Sequence, residues 1–168
     1  KTLLKSCINS RIKIEELPIF DLEYIFLQIR AVSIGDIVKM RVTCKDDDKT
    51  QVPYNLNLSE VKVVKPEGHS NKIMLTDDMG VIMKYPGMND FIAGCIDQIF
   101  DGEDVYDSST TTRKEFSQFL EGLTNSQFES IQEFFAGTPR LEHKFTVKNP
   151  NTGEDSEFTI TGLSNFFG

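Results

Sequence analysis

The spacing of apolar residues divides the chain into segments with two different periods. Between Ile19 and Val32, apolar side chains recur every three or four residues, at Leu22, Ile25, Phe26, Ile29 and Val32. This spacing predicts a helix with one apolar face. Pro18 fits its first turn and Gly35 its end. Residues 1–10 are predicted to form a short helix that continues from an upstream segment.

The period then changes to two, which predicts β-hairpins with one buried face each. Apolar residues alternate over 37–44 and 52–58, on either side of the charged turn 45–49. A second pair of strands is predicted at 72–76 and 81–85, joined by a short turn that contains a glycine.

The middle of the chain is predicted to be helical. Helices are expected at 89–100 and 113–120, with a loop at 101–104 between them. A third helix begins after Thr124, because a threonine followed by a glutamine three residues later matches a capping box. Gly137 is expected to end that helix.

The C-terminal part returns to an alternating pattern around Phe145 and Phe158, with the turn 149–153 between them, and closes in one helical turn at 162–167. The hairpin that contains Cys44 and this last hairpin resemble each other. The sequence therefore predicts an α+β fold in which antiparallel, zinc-ribbon-like hairpins flank a helical middle. The predicted regions, which form one compact unit or two small subdomains, are 1–35 (helices), 36–87 (hairpins), 88–138 (helices) and 139–168 (hairpin and short helix).

Composition narrows the class of protein. The net charge is −8, from 26 acidic and 18 basic residues, which disfavours a duplex nucleic-acid binder because such proteins need a basic surface. No apolar stretch is long enough to span a bilayer. The three cysteines, Cys7, Cys44 and Cys95, are widely spaced and odd in number. We interpret them as reduced thiols of a protein made in a reducing, cytoplasmic compartment.

Cys44 is the one candidate metal ligand, because a cysteine just before a polar hairpin turn is typical of a zinc ribbon. A zinc ribbon needs two pairs of ligands, however, and the nearby positions hold the acids Asp46, Asp47 and Asp48. We therefore expect a metal-free hairpin. The oxygen-rich segments 46–48 and 149–157 could suit calcium, but asparagine, proline and glycine are also what any tight turn requires.

Candidate catalytic groups are few. The two histidines are His69, in a segment expected to be an exposed loop, and His143, at the start of a predicted strand. Neither lies beside a nucleophile motif, and the chain has no phosphate-binding glycine loop. We therefore expect a non-enzymatic protein-interaction module without a cofactor.

Phenylalanine is frequent, with 13 residues, and several fall in pairs or near the chain end. They are expected either to pack in the core or to anchor an interface with another protein. The candidates for such contacts are Phe134, Phe135, Leu163, Phe166 and Phe167.

Five segments in order resemble one known family: Leu17–Gly35, the hairpin with Cys44, Asn57–Val61, Met83–Pro86 and Gly162–Phe167. Taken together they are similar to the T4-type bacteriophage baseplate family over nearly the whole chain. The family's first hairpin turn often carries paired cysteines, and this chain keeps only Cys44 there.

The resemblance implies a role in building the hub at the centre of a contractile tail's baseplate, as a structural subunit or as a chaperone-like assembly factor. It implies other baseplate hub proteins as partners, no catalytic residues, and a location in the host cytoplasm during assembly. Retention in the virion and the oligomeric state stay open. The alternatives are a nucleic-acid-binding protein built on ribbon-like hairpins and a hub component that degrades the cell wall.

Overall fold

The computed structural model describes residues 13–88 and 90–167. Contacts along the chain divide it into two compact units. Unit 1 comprises, of the described residues, 13–14, 20–64 and 139–167. Unit 2 comprises 15–19 and the described part of 65–138. Unit 1 is therefore discontinuous, because its last hairpin lies far along the chain from the helix and the hairpin with which it is grouped. The predicted helix at 1–10 and Cys7 lie outside the described residues.

The helices longer than one turn are α1 (Ile19–Ile34), α2 (Arg113–Glu121) and α3 (Asn125–Ala136). Both α2 and α3 begin with a capping box, in which the N-cap threonine and a side chain three residues later satisfy each other's backbone N–H groups. The capping threonines are Thr112 and Thr124. The predictions for all three of these helices are confirmed, including the capping box at Thr124 and Gln127.

The described residues form nine strands in three antiparallel sheets. The strands are β1 (Ile37–Thr43), β2 (Gln51–Asn57), β3 (Lys62–Val64), β4 (Lys72–Met74), β5 (Met79–Met83), β6 (Ile96–Asp101), β7 (Asp104–Asp107), β8 (Arg140–Lys148) and β9 (Asp155–Thr161). Unit 1 holds the pair β1-β2 and the sheet β3-β8-β9, and unit 2 holds the sheet β4-β5-β6-β7. The predicted α+β class is confirmed.

The helix predicted at 89–100 is wrong. In the described part of that segment the chain makes a short 3-10 turn, Ile92–Cys95, and then strand β6, which pairs with β5 and β7. Ile96 and Ile99 are both buried although they are three residues apart, which is helical spacing. A bulge explains this, since the register with β5 skips Asp97 and so returns the next apolar residue to the buried face. The loop predicted at 101–104 is the tight turn between β6 and β7.

Each unit has its own apolar core. In unit 1, residues of α1, β2 and β8 pack with the C-terminal 3-10 turn Leu163–Phe166. In unit 2, the sheet packs against α2 and α3. The fully or nearly fully buried residues of the unit 1 cluster are Leu27, Leu56, Leu58, Val61, Leu141 and Phe166. Those of the unit 2 cluster are Val81, Met83, Cys95, Ile96, Ile99, Phe116, Ile131 and Phe134.

The apolar face of α1 differs from the predicted one. Val32 was expected on the buried face, but it is exposed, and the contacts with the unit 1 core come from Leu27 and Ala31 instead. Apolar residues occur on all sides of this helix, so the spacing alone does not select the face that packs.

Gly80 offers a test of the unit 2 sheet. It lies in β5 between Met74 of β4 and Phe100 of β6, and a Cβ atom there would lie 2.5 Å from the Ile73 carbonyl oxygen and overlap the Phe100 ring. We expect Gly80→Ala to lower the free energy of unfolding by about 2 kcal/mol or more, because neither neighbour can move cheaply.

The matched control is Gly122→Ala at the end of α2, where the nearest atom to an added Cβ is a carbonyl oxygen at 3.4 Å. Urea unfolding monitored by circular dichroism measures both variants. Equal stability of G80A and G122A would contradict the packing of β5.

Candidate functional site

The turns of two hairpins meet in unit 1. The first knuckle, residues 44–50, joins β1 to β2, and the second knuckle, residues 149–154, joins β8 to β9. The Asp46 carboxylate accepts hydrogen bonds from Asn149 Nδ2, at 2.9 and 3.0 Å to its two oxygens, and from Thr152 Oγ1 at 2.5 Å. Asn151 Nδ2 donates to Thr50 Oγ1 at 2.9 Å. We call this set of hydrogen bonds between the knuckles the clasp.

The clasp continues along the strands that leave the knuckles. The backbone N–H of Lys45 donates to Ser156 Oγ at 3.1 Å, and its ammonium group donates to the Glu157 carbonyl oxygen. The same ammonium nitrogen lies 5.0 Å from the centre of the Phe158 ring. A cation in this position is attracted by the face of the ring.

Each knuckle is also braced internally by its own side chains. In the first, the Asp47 carboxylate accepts hydrogen bonds from the backbone N–H groups of Lys49 and Thr50, at 3.0 and 2.9 Å, and from the Thr50 hydroxyl. In the second, Asn149 Oδ1 accepts a hydrogen bond from the Asn151 N–H at 2.9 Å. Such side-chain bonds to the backbone are typical of tight turns, and they hold the groups of the clasp in place.

These hydrogen bonds favour the charged carboxylates. Donation by Thr152 and Asn149 lowers the pKa of Asp46 below its ordinary value, and donation by Thr50 and Lys49 lowers the pKa of Asp47. The opposite holds for Cys44, whose side chain is completely buried. Its removal from water and the nearby charges of Asp46 and Asp47 raise the pKa of the thiol.

Neither the zinc nor the calcium hypothesis gains a ligand set from this geometry. Within residues 13–88 and 90–167, no group of three or more His, Cys, Asp or Glu side chains could hold a metal ion. Cys95 belongs to the core of unit 2, whereas both knuckles belong to unit 1. Asn149 directs its amide N–H toward Asp46, so that a donor faces the carboxylate.

The two histidines have different surroundings. His143 lies within β8, is almost fully buried, and places its Nε2 3.0 Å from the Tyr54 hydroxyl. His69 was expected in an exposed loop, but its ring stacks on Tyr85 and Phe134, with centroid distances of 5.7 and 5.0 Å. Burial, together with nearby Lys65, lowers the pKa of His69. Its Nε2 is buried without a hydrogen-bond partner in the described structure.

An open cavity of about 890 Å³ lies in unit 2. Two ion pairs line it, Lys84 with Asp97 at 3.7 Å and Arg113 with Asp90 at 3.6 Å. The full lining has four acidic residues and three basic ones, so the cavity carries no strong excess of one charge to select an anionic or a cationic ligand.

The five predicted contact residues have different environments. Phe134 is 3% exposed and belongs to the unit 2 core, with Phe135 packed edge-on against it at a centroid distance of 5.2 Å. Phe166 is completely buried in the unit 1 core, and Leu163 packs beside that core. Phe167 is 38% exposed. Of these residues, Phe167 therefore presents the most surface to a partner.

Three exposed apolar residues that were not among the five predicted contact residues lie at the end of α1 or just after it. Val32 is 88% exposed, Ile34 is 74% exposed, and Ile37 at the start of β1 is also exposed. The Arg30 guanidinium donates to the Gly35 carbonyl oxygen at 3.0 Å, and its central carbon lies 5.9 Å from the centre of the Phe167 ring. Arg30 thus links the end of α1 to Phe167, and we call Val32, Ile34, Ile37 and Phe167 the apolar surface.

A family model described as T4 bacteriophage base plate protein matches residues 1–168. The chain belongs to that family. The resemblance to T4-type baseplate proteins that the sequence analysis described is thereby confirmed. A search of curated proteins and a search of solved structures each found no match to this baseplate protein. Among its described helices, none has both the length and the apolar character needed to cross a bilayer.

The clasp gives this baseplate protein an expected sensitivity to acid. Because the folded-state pKa of Asp46 is lowered, its stabilising contribution is present above the ordinary carboxyl pKa, about 3.9, and is lost as the pH falls through the folded value. We expect Asp46→Asn to be less stable than the wild type at neutral pH and to lose less stability between about pH 4 and pH 2.

The control is Asp77→Asn, at an exposed carboxylate in the turn between β4 and β5 of unit 2. Chemical unfolding of the three proteins at a series of pH values measures how the free energy of unfolding of each one changes with pH. A wild-type slope that matches that of D46N would show that Asp46 does not carry this dependence.

We expect the thiols of Cys44 and Cys95 to react slowly with alkylating reagents in the folded protein. Both side chains are buried, and burial, reinforced by nearby Asp90, raises the pKa of Cys95 to about 11. Since the thiolate is the reactive form, we expect iodoacetamide to modify Cys44 and Cys95 slowly in the native protein and rapidly in urea. Peptide mass spectrometry reads each site separately. Rapid native labelling of Cys95 would contradict its place in the unit 2 core.

Proposed function

We propose that this baseplate protein acts in the assembly of the baseplate hub, through contacts with other hub proteins and without catalysis. The observation that carries the proposal is the apolar surface of unit 1. A single exposed apolar side chain is ordinary on a soluble protein, but here Val32, Ile34 and Ile37 follow closely along the chain and all are exposed, as is Phe167. Exposed apolar surface of more than one such side chain is a feature of protein-interaction sites.

Burial of these apolar side chains against a partner is favourable because it removes them from water. Complete burial of one valine, isoleucine or phenylalanine side chain contributes about 1.5–3 kcal/mol. Val32 and Ile34 have nearly their whole side chains to bury. They could therefore anchor a partner, as the few dominant residues of many interfaces do.

A role without catalysis is supported by the placement of the histidines. His143 Nε2 lies beside the Tyr54 hydroxyl, and His69 Nε2 is buried within its aromatic neighbours. A general base must instead reach a substrate proton by a hydrogen bond.

The net charge of −8 continues to disfavour nucleic acid as the partner. We propose the host cytoplasm as the place of assembly and a structural or chaperone-like mode of action.

Co-expression with individual baseplate hub proteins of the same phage tests the proposal. The wild-type chain should co-purify with at least one of them, and the double variant Val32→Asp/Ile34→Asp should lose about tenfold or more in affinity, equivalent to about 1.4 kcal/mol. Pull-down followed by calorimetry on the purified pair provides the measurement.

The matched control is Val105→Asp, a similarly exposed apolar residue in β7 of unit 2. Circular dichroism and thermal unfolding verify that each variant folds. Absence of any hub partner for the wild type would overturn the hub role. Full binding by V32D/I34D would instead show that the apolar surface is not where the hub partner binds.

A further inference from the structure

The two knuckles share a spacing that the clasp itself does not require. Cys44 and Asp47 are separated by two residues, and so are Asn149 and Thr152. Each pair is followed by a residue in the left-handed region, Asp48 with φ 52° and Gly153 with φ 83°. Asp48 is the one non-glycine residue with positive φ in the described part of the chain, which shows that the turn imposes this conformation.

The backbone hydrogen bonds of the knuckles also correspond. In the first, the N–H of Asp48 donates to the Cys44 carbonyl oxygen at 3.1 Å. In the second, the N–H of Gly153 donates to the Asn149 carbonyl oxygen at 2.8 Å. Both turns thus close over the same five-residue span. A pair of ligands separated by two residues on each of two facing turns is the arrangement of structural zinc sites with four ligands.

The side chains at these positions converge. The Asp46 carboxylate contacts both Asn149 and Thr152 across the junction. Within the first knuckle, the charges of Asp46 and Asp47 act on the buried Cys44 thiol and help to raise its pKa. The two knuckles that carry these pairs are therefore held against each other through Asp46.

We propose that the clasp is a zinc-ribbon site in which side-chain hydrogen bonds have replaced the metal. The four ligand positions are those of Cys44, Asp47, Asn149 and Thr152, and the Asp46 carboxylate joins the two knuckles where an ion would join them. A metal binds thiolates or other deprotonated groups, whereas Asn149 and Thr152 supply N–H and O–H donors, which a carboxylate accepts. The two knuckles are thus held together without metal on a backbone shaped for zinc.

Restoring the thiols tests this inference. In the variant Asp47→Cys/Asn149→Cys/Thr152→Cys, the three new thiols and Cys44 should bind one Zn²⁺ or Co²⁺ per chain, with the thiolate charge-transfer and visible absorption bands of tetrahedral Co²⁺. We expect an affinity for Zn²⁺ about 1,000-fold or more above that of the wild type. Saturating zinc should raise the midpoint of thermal unfolding of the variant only.

The matched control is Asp47→Cys/Asn151→Cys/Thr152→Cys, which has the same number of thiols but moves one of them by two positions. It should bind Co²⁺ weakly and without the tetrahedral spectrum. Equal binding by the two variants would overturn the assignment of the four positions.

The folding of the restored variant and the response of the wild type to a chelator also decide the proposal. If the restored variant folds only when zinc is present, that supports it, because the metal then supplies the connection that the hydrogen bonds supplied. If the variant stays unfolded with zinc, the proposed geometry is wrong. For the wild type, a chelator should leave the unfolding midpoint unchanged. A purified wild-type chain that contains stoichiometric metal and loses stability with the chelator would overturn the replacement of the metal.

Discussion

The Asp46 carboxylate joins two turns that lie 103 residues apart in the chain. Unit 1 is discontinuous, so its last hairpin must return to the helix and hairpin at the other end of the described chain. Closing so long a loop has an entropic cost, which the burial of Leu141 and Phe166 beside Leu27 and Leu56 offsets. Apolar burial has little directional preference. The hydrogen bonds of the clasp are directional, and they fix the register of the two knuckles because their donors and acceptors match in only one register.

Unit 2 depends on a different local constraint. Its central strand β6 follows directly on a 3-10 turn, and the bulge at Asp97 places Ile96 and Ile99 on the buried side. Gly80 on the neighbouring strand leaves room for the Phe100 ring. The sheet then packs against α2 and α3, whose capping boxes fix where they begin. The unit is thus built around one irregular strand rather than around a helix.

The proposed function of this family member rests on the contrast between its buried and exposed apolar residues. The aromatic pairs near the chain end and in α3 contribute mainly to the two cores, whereas the end of α1 leaves its valine and isoleucine in water. A baseplate protein must present surfaces to other subunits, and an exposed cluster beside a rigid helix end is suited to that. Arg30 connects Phe167 with that helix end, so that the last described residues belong to the same surface.

The sequence by itself determined the elements whose signals are local. Capping boxes, strict alternation and turn residues predicted α2, α3 and the hairpins that carry the two knuckles, because each depends on neighbours a few residues away. The α+β class followed from the same pattern, whereas the resemblance to baseplate proteins came from specific segments of the sequence. Tertiary structure alone decided the rest. Residues 92–101 have helical spacing but form a 3-10 turn followed by a strand that pairs with β5 and β7, and the face of α1 that packs was set by its partners. The partner of Asp46 lies 103 residues away, and no local rule links those two positions.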